Sequence, residues 1–151
     1  MNLKSFLISD HKSCDGDFAT FENAVYDGNT ELAKTMYDKM SKEFEEHFAM
    51  EEEVLFPNFE LKSGMSCGPT EIMRREHEQM RFNLGMIKKA LDGENKSQLL
   101  GLCESFNILV QQHNSKEEQI LYTMCEQVLA NENDEIIAKM QEVKNSDRAS
   151  A

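Results

Sequence analysis

The sequence contains few residues that interrupt helices. Its 151 residues include two prolines, seven glycines and no tryptophan. Long segments rich in Glu, Lys, Leu, Met and Ala lie between a few turn-forming sites, and these residues favour helices over strands. A chain of this length supports one well-buried core and is too short for two comfortable domains. The sequence therefore predicts a single all-α domain.

The sequence also lacks a long apolar run and an excess of basic charge. No apolar segment approaches the roughly 18 residues needed to span a bilayer, and the first residues lack the long apolar region and cleavage site of a secretory signal. The 28 acidic and 16 basic side chains give a formal net charge of −12, which repels phosphate backbones and anionic lipids. We therefore expect a cytoplasmic protein that binds neither nucleic acid nor a membrane surface.

The four cysteines form no recognisable disulfide or zinc-binding pattern. Cys14, Cys67, Cys103 and Cys125 include no CxxC pair, which favours reduced thiols in an intracellular protein. We interpret them as small core or surface residues. Cys14 lies about one helical turn after His11 and is the thiol that could approach a metal bound there.

Hydrophobic periodicity and turn residues predict four long helices. Short connections between the first and second, and between the third and fourth, make each pair an antiparallel hairpin and give an up-down-up-down four-helix bundle. A short C-terminal helix follows, so the single domain is expected to cover residues 1–145, with a frayed tail at 146–151. The long helices are expected from Ser9 or Asp10 to Asp27, from a cap at Thr30 to Pro57, from Thr70 to Asp92 and from about Ser97 to Ala130, with the longest loop at 61–69.

Six polar residues form three pairs that repeat at one fixed offset along the chain. The two members of each pair are separated by the same number of residues, which is the distance in sequence between the first and third histidines. Together the pairs include every histidine of the sequence. We call this separation the repeat offset. A duplicated set of nitrogen and oxygen donors is hard to explain by packing and predicts a two-metal site built from two matching hairpins. The pairs are His11 and His77, His47 and His113, and Glu51 and Glu117.

The predicted hairpins bring the four histidines together. In the first hairpin, the segment from His11 to Asp27 has nearly the same length as the segment from Thr30 to His47. Because every helical residue adds ~1.5 Å of rise, both imidazoles return to the same axial level. The second hairpin has nearly the same dimensions. Since the hairpins are joined at the end that carries the histidines, all four are expected to converge at one end of the bundle.

The spacing of histidine and glutamate indicates a metal site. His47 and Glu51 are four residues apart, as are His113 and Glu117, so each pair lies on one helix face. Burying these groups among apolar side chains would cost several kcal/mol for each unpaired ion. Two divalent or trivalent cations bridged by the carboxylates would remove that cost. The donor set suits iron, although zinc and manganese remain alternatives.

These residues resemble those of the hemerythrin-like, or HHE cation-binding, domain. The similarity covers roughly residues 3 to 130 and implies a four-helix bundle with two iron ions joined by an oxo or hydroxo group. It further implies that Glu51 and Glu117 bridge the irons and that the four histidines bind them. The similarity rests on His11, on HFAMEEEVLFP from His47 to Pro57, on Glu76 with His77, and on HNSKEEQILY from His113 to Tyr122.

The chain departs from the invertebrate oxygen carriers of that family. Those proteins have a fifth histidine in a His-x-x-x-His pattern on the third helix, whereas the residues four before and four after His77 are Met73 and Arg81. Fewer protein ligands leave more coordination positions open. The similarity therefore implies binding of, or reaction with, oxygen, peroxide or nitric oxide in oxidative or nitrosative stress, and leaves open whether the protein is an enzyme.

A second function remains open, namely donation of iron to damaged iron–sulfur clusters. Repair proteins of this family commonly carry an additional N-terminal domain with cysteines, and ten residues precede His11 here, which makes this the less favoured alternative.

The remaining polar and aromatic residues near the motifs have simpler interpretations. Three glutamates that neighbour the repeated ones are expected to face solvent, namely Glu52, Glu53 and Glu118. Glu46 and Glu76 each directly precede a histidine of the motif, and the sequence leaves open whether they support that histidine or are exposed. The tyrosines Tyr26, Tyr37 and Tyr122 are expected to pack between helices, although any of them could donate a hydrogen bond to a ligand of the metal.

Overall fold

A computed structural model describes residues 1–146 and contains helices but no strand within that range. The predicted all-α bundle is confirmed, whereas the tail predicted to fray lies, apart from Ser146, outside the described residues. No helix among residues 1–146 is both long and apolar enough to cross a membrane. The elements are α1 (Leu3–Tyr26), α2 (Thr30–Met50), a first π-helical turn (Glu51–Leu55), α3 (Phe56–Ser63), α4 (Pro69–Asp92), α5 (Lys96–Lys116), a second π-helical turn (Glu117–Leu121), α6 (Tyr122–Val128), a 3₁₀ turn (Ala130–Glu132) and α7 (Asn133–Asn145).

The first helix begins earlier than predicted. The Asn2 side chain accepts a hydrogen bond of 2.8 Å from the Ser5 backbone N–H, and the Ser5 hydroxyl pairs with the Asn2 backbone in return. This capping box stabilises the helix start, and the buried Leu3 and Leu7 anchor the extra turns. The predicted start at Ser9 or Asp10 was therefore wrong, and Asp10 lies inside the helix.

Asparagines cap two of the other long helices. Asn29 accepts a hydrogen bond of 3.2 Å from the Leu32 backbone N–H, so Asn29 and not Thr30 is the cap of α2. Asn95 accepts one of 3.1 Å from the Gln98 backbone N–H at the start of α5. In both cases the amide oxygen satisfies a donor that the first helical turn leaves without a partner.

Pro57 does not end the second long helix. The chain continues from α2 through the first π-helical turn into α3, which ends at Ser63 before Gly64. Pro57 lies in the first turn of α3, directly after the π-helical turn, and has no N–H to donate back to that turn, where the Glu52 carbonyl accepts a hydrogen bond of 3.3 Å from the Arg74 guanidinium. Gly64 has φ +75° and supplies the left-handed residue that ends the helix. The loop before α4 is therefore shorter than predicted.

The hydrophobic core consists of two clusters of buried residues. One lies towards the short turns of the hairpins and contains residues such as Phe21, Met40 and Phe106. The other lies towards the opposite end and contains Phe59 and Met140, with α7 packed against α2 and the first π-helical turn. On each long helix the repeated histidine or glutamate occurs where one cluster gives way to the other. The site therefore lies between two apolar layers rather than at the end of the bundle.

Candidate metal centre

The structure brings all six predicted residues together. Each is at most 3% exposed, and they form two groups whose potential ligand atoms lie within 4.8 Å of one another. We call these groups the first and second positions, and the six residues together the inner cluster. The first position is His11, His47, Glu51 and Glu117, and the second is Glu51, His77, His113 and Glu117.

Both carboxylates belong to both positions. Glu51 Oε1 is 3.4 Å from His47 Nε2 and 3.0 Å from His77 Nε2. A carboxylate oxygen with one imidazole of each position beside it has the arrangement of a bridging ligand.

Glu117 repeats this arrangement on the other side of the cluster. Its Oε1 atom is 3.0 Å from His11 Nε2 and 3.3 Å from His113 Nε2. The two hairpins therefore contribute equivalent halves of one cluster.

Both shared glutamates begin a π-helical turn. The backbone N–H of Phe56 bonds to the Glu51 carbonyl, and that of Tyr122 bonds to the Glu117 carbonyl, so each bond spans five residues instead of four. Such turns insert a residue into an α-helix and are frequent at functional sites. The sequence pattern contains no indication of them.

Several polar atoms of the inner cluster have no hydrogen-bond partner. These buried atoms are Nε2 of His47, His77 and His113, Oε1 of Glu51 and Oε2 of Glu117. Each buried polar atom without a partner costs about 1–3 kcal/mol. Imidazole nitrogens and carboxylate oxygens that converge in this way fit a first-row transition metal such as iron, zinc or manganese.

The carboxylates of the cluster raise the pKa values of His47, His77 and His113 and so favour protons on these imidazoles when no metal is bound. Burial opposes protonation of His77, but the neighbouring Glu51 and Glu52 carboxylates outweigh it and raise its pKa to about 9. Burial likewise opposes ionisation of Glu117, yet the neighbouring His113 brings its pKa well below the usual range. A bound cation would replace these protons with its own positive charge.

Each histidine is held from behind by a second carboxylate. In every case the carboxylate accepts the Nδ1 proton, which leaves Nε2 directed into the inner cluster. We call these four residues the outer carboxylates. The pairs are His11 with Glu118 at 2.7 Å, His47 with Asp10 at 2.7 Å, His77 with Glu52 at 2.7 Å and His113 with Glu76 at 2.8 Å.

Three of the four outer carboxylates were not predicted from the sequence, and the role of Glu76 was left open. Glu52 and Glu118 were expected to face solvent, which was wrong, whereas Glu53 is exposed as predicted. Asp10 was considered only as a helix cap. A signal was nevertheless present, because Asp10 and Glu76 are separated by the repeat offset, as are Glu52 and Glu118. The offset that identified the inner cluster extends to all four outer carboxylates.

Tyr122 places a hydroxyl inside the inner cluster. Its oxygen lies 2.6 Å from Glu51 Oε2, 2.9 Å from Glu117 Oε1 and 3.0 Å from His11 Nε2. Burial, together with the two carboxylates, raises the pKa of Tyr122 well above its ordinary value, so the hydroxyl stays protonated. Tyr122 is therefore a hydrogen-bond donor at the site, a role that the sequence analysis left open beside simple packing.

The residue that corresponds to Tyr122 in the other half is Phe56, one repeat offset earlier in the chain. The Tyr122 ring stacks on His11 with 5.5 Å between ring centres, and the Phe56 ring stacks on His77 with 5.9 Å between them. The two aromatic rings thus have equivalent places, but only the first position has the hydroxyl.

The cysteines contribute nothing to either position. Cys14 is buried, but among residues 1–146 neither group of potential ligands contains a thiol. Burial raises the pKa of Cys14 far above its ordinary value, which disfavours the thiolate that a metal would bind. The suggestion that Cys14 approaches a metal is therefore not supported.

Comparison with known proteins agrees with this geometry. The family model of the hemerythrin HHE cation-binding domain matches residues 3–125, which include the whole inner cluster and the four outer carboxylates. The match ends before α7. No curated protein and no solved structure matches the chain. The chain belongs to the hemerythrin HHE cation-binding domain family.

Proposed function

We propose that the inner cluster binds two iron ions per chain, joined by an oxo or hydroxo group, and that the pair binds or reacts with small oxidants. The observation that carries the proposal is that both buried carboxylates are shared between two groups of imidazoles, and that Nε2 of three of these imidazoles lacks a hydrogen-bond partner. His11 and His47 would hold one ion and His77 and His113 the other, with Glu51 and Glu117 between them.

The composition of each position leaves room for a further ligand. Two imidazoles and two shared carboxylates provide fewer protein donors than the coordination sphere of iron accepts, and an incompletely filled metal site is typical of reactive centres. Two irons supply redox equivalents and Lewis acidity for reaction with an oxidant. Because the inner cluster is buried between two apolar layers, the candidate ligands are small molecules such as oxygen, peroxide and nitric oxide.

The protein side chains have separate tasks at this site. The outer carboxylates hold the Nδ1 protons and fix the imidazole orientations. The rings of Phe48 and Phe56 cover His77, with 4.4 and 5.9 Å between ring centres, and exclude water from that side. Tyr122 holds a proton 2.6 Å from Glu51 Oε2, where it can donate to a ligand beside the bridging carboxylate.

Burial argues against the alternative of iron donation to damaged clusters. A donor protein must release its metal to another protein, which requires access to the ions. All six inner residues are at most 3% exposed, and every imidazole is fixed by a carboxylate behind it. These features favour a resident cofactor over a transferred one.

Anaerobic reconstitution with ferrous iron tests the proposal. We expect about two irons per chain, and parallel exposure to oxygen, nitric oxide and peroxide then identifies the oxidant that reacts. A stable oxygen adduct that dissociates on degassing would indicate carriage, whereas rapid loss of peroxide with evolution of oxygen would indicate catalysis. Only trace iron, or zinc in its place despite abundant iron, would contradict the proposal.

Matched variants test the bridging residues. Glu51→Gln and Glu117→Gln each remove a negative charge and a bridging oxygen while keeping the side-chain shape, so both should lose most of the bound iron. Glu53→Gln provides the control, because Glu53 lies in the same π-helical turn as Glu51 but is exposed and belongs to neither position. Full iron occupancy in a variant that combines the first two substitutions would refute their role.

A further inference from the structure

The two halves of the site differ in the charges behind the outer carboxylates. Two of these carboxylates, Asp10 and Glu76, are equivalent by the repeat offset and are similarly compensated. Lys144 from α7 forms an ion pair with Asp10, and Lys116 from α5 forms one with Glu76. Each metal position therefore has one lysine behind this outer carboxylate.

The negative charges of the other two outer carboxylates, Glu52 and Glu118, are not balanced by equivalent cationic side chains. Glu52 accepts two hydrogen bonds from the Arg81 guanidinium, at 2.9 and 3.1 Å. Glu118 is bonded to His11, and among residues 1–146 no lysine or arginine forms an ion pair with it. The second position thus has a guanidinium behind its carboxylate, and the first has none. Arg81 also pairs with Glu45 and Glu78, but their side chains are 50% and 72% exposed, so solvent screens these charges more strongly than that of Glu52, which is 21% exposed.

The chain has an acid where the equivalent arginine would lie. Arg81 is four residues after His77, and the residue four after His11 is Asp15, one repeat offset before Arg81. Asp15 accepts a hydrogen bond of 3.2 Å from the Gln111 side chain. Burial raises the pKa of Asp15, and the nearby Glu118 carboxylate raises it further. The first position is therefore bordered by two neighbouring carboxylates at the place where the second has an ion pair.

This difference acts on any cation in the inner cluster. Negative charge near a metal stabilises its higher oxidation state, and positive charge stabilises the lower one, through Coulomb interactions that are strong away from bulk water. We propose that the two metal positions are electrostatically inequivalent, so that iron in the first position, beside Glu118 and Asp15, has the lower reduction potential. This inference rests on the proposed di-iron function.

The consequence is an ordered reduction. When an external one-electron donor such as dithionite reduces the diferric protein, the first electron converts Fe(III) to Fe(II) in the second position, near Arg81, and the donor is oxidised. A second electron reduces the first position at a lower potential. Arg81 and Asp15 are positioning residues in this scheme, because they act through Glu52 and Glu118 and not by touching the metal.

Anaerobic spectroelectrochemical titration of the iron-loaded full chain tests the proposal. We expect two resolved one-electron steps. Arg81→Gln should lower the upper potential, and Asp15→Asn, which keeps the acceptor for Gln111, should raise the lower one. Each substitution should change the ferric-to-ferrous ratio at its own position by up to about tenfold. Arg81→Lys should restore most of the wild-type upper potential.

Matched surface substitutions serve as controls. Lys139→Gln removes a positive charge from the exposed side of α7, where Lys139 pairs with Glu135, and Glu104→Gln removes a negative charge from an exposed position of α5. Neither should move either potential. Helical circular dichroism and iron content, measured on every variant, separate electrostatic effects from misfolding.

The outcomes distinguish the inference from the function on which it rests. Two irons per chain with one unresolved reduction step, or with both potentials moving equally in both variants, would overturn the inequivalence and leave the di-iron proposal standing. Failure of the wild-type protein to hold two irons would overturn the di-iron proposal and this inference with it. Separate shifts of the two potentials by the two variants would support both.

Discussion

Replacing Tyr122 by phenylalanine removes one hydroxyl from the inner cluster and changes little else. Phe56 occupies the equivalent place in the other half and stacks on its histidine in a similar way, so the ring itself fits. The hydroxyl lies 2.6 Å from Glu51 Oε2 and 2.9 Å from Glu117 Oε1. In Tyr122→Phe these buried carboxylates lose a donor that no solvent molecule can readily replace.

The size of the effect follows from the charge of the acceptor. A hydrogen bond to a charged group contributes about 1.5–3 kcal/mol, and the hydroxyl can donate its single proton to one carboxylate at a time. We therefore expect the metal-free variant to lose about 2–3 kcal/mol of unfolding free energy. For a chain of this size that corresponds to a decrease in Tm on the order of 5–10 °C.

The other two tyrosines complete a graded series. Tyr37 is buried, and its hydroxyl donates to the Leu84 carbonyl at 2.7 Å, so Tyr37→Phe should cost about 1 kcal/mol because the acceptor is neutral. Tyr26 is 62% exposed, and Tyr26→Phe should leave the stability unchanged. Urea denaturation of chelator-treated protein, followed by circular dichroism, measures all three. If Tyr122→Phe loses less than Tyr37→Phe, the hydroxyl is not stabilising the carboxylates and the reasoning fails.

Two further perturbations test the protonation of the site and the attachment of α7. Because the pKa of His77 is raised to about 9, its proton must leave before a metal binds Nε2. Metal affinity should therefore rise from pH 6 to 9, while the metal-free protein loses stability as the pH rises from about 6.5 through 9; an affinity independent of pH in a chelator competition would contradict this. Lys144→Gln removes the ion pair to Asp10, which holds His47, so iron should be lost to a chelator faster and the amides of α7 should exchange hydrogen faster. Lys139→Gln on the same helix should change neither, and equal effects of the two variants would refute a specific role for Lys144.

The inner cluster was predictable because metal ligands must lie at fixed places on the helices. A four-residue spacing such as His47 to Glu51 fixes two donors on one helix face, and hairpins of equal length place the histidines at one level. Both placements are independent of the exact ends of the helices. The late start predicted for α1 and the break predicted at Pro57 were wrong, yet they did not disturb the predicted positions of the ligands.

The outer carboxylates could not be assigned by dividing each helix into an inner and an outer face. In a four-helix bundle, residues on the flanks of the inner stripe lie between neighbouring helices and are only half-buried. The side chains of Glu52, Glu76 and Glu118 are 21%, 13% and 34% exposed. An isolated helix with period 3.6 gives no means of separating such flanking positions from solvent-facing ones. The π-helical turns were missed for a related reason, since they depend on one shifted backbone hydrogen bond.

The duplication explains why the two halves agree at the residues that would bind the metal and differ in the residues behind them. Imidazole and carboxylate donors must meet strict distance and orientation requirements, so equivalent residues fill equivalent places in both hairpins. Beyond the outer carboxylates these requirements no longer apply. One half has Arg81 at the position equivalent to Asp15 in the other half, and Phe56 at the position equivalent to Tyr122. The first position therefore has an extra hydroxyl, from Tyr122, and a Glu118 carboxylate that forms no ion pair with a lysine or arginine among residues 1–146. The chemistry of this chain should depart most from that of a symmetric di-iron site at this position, which contains His11.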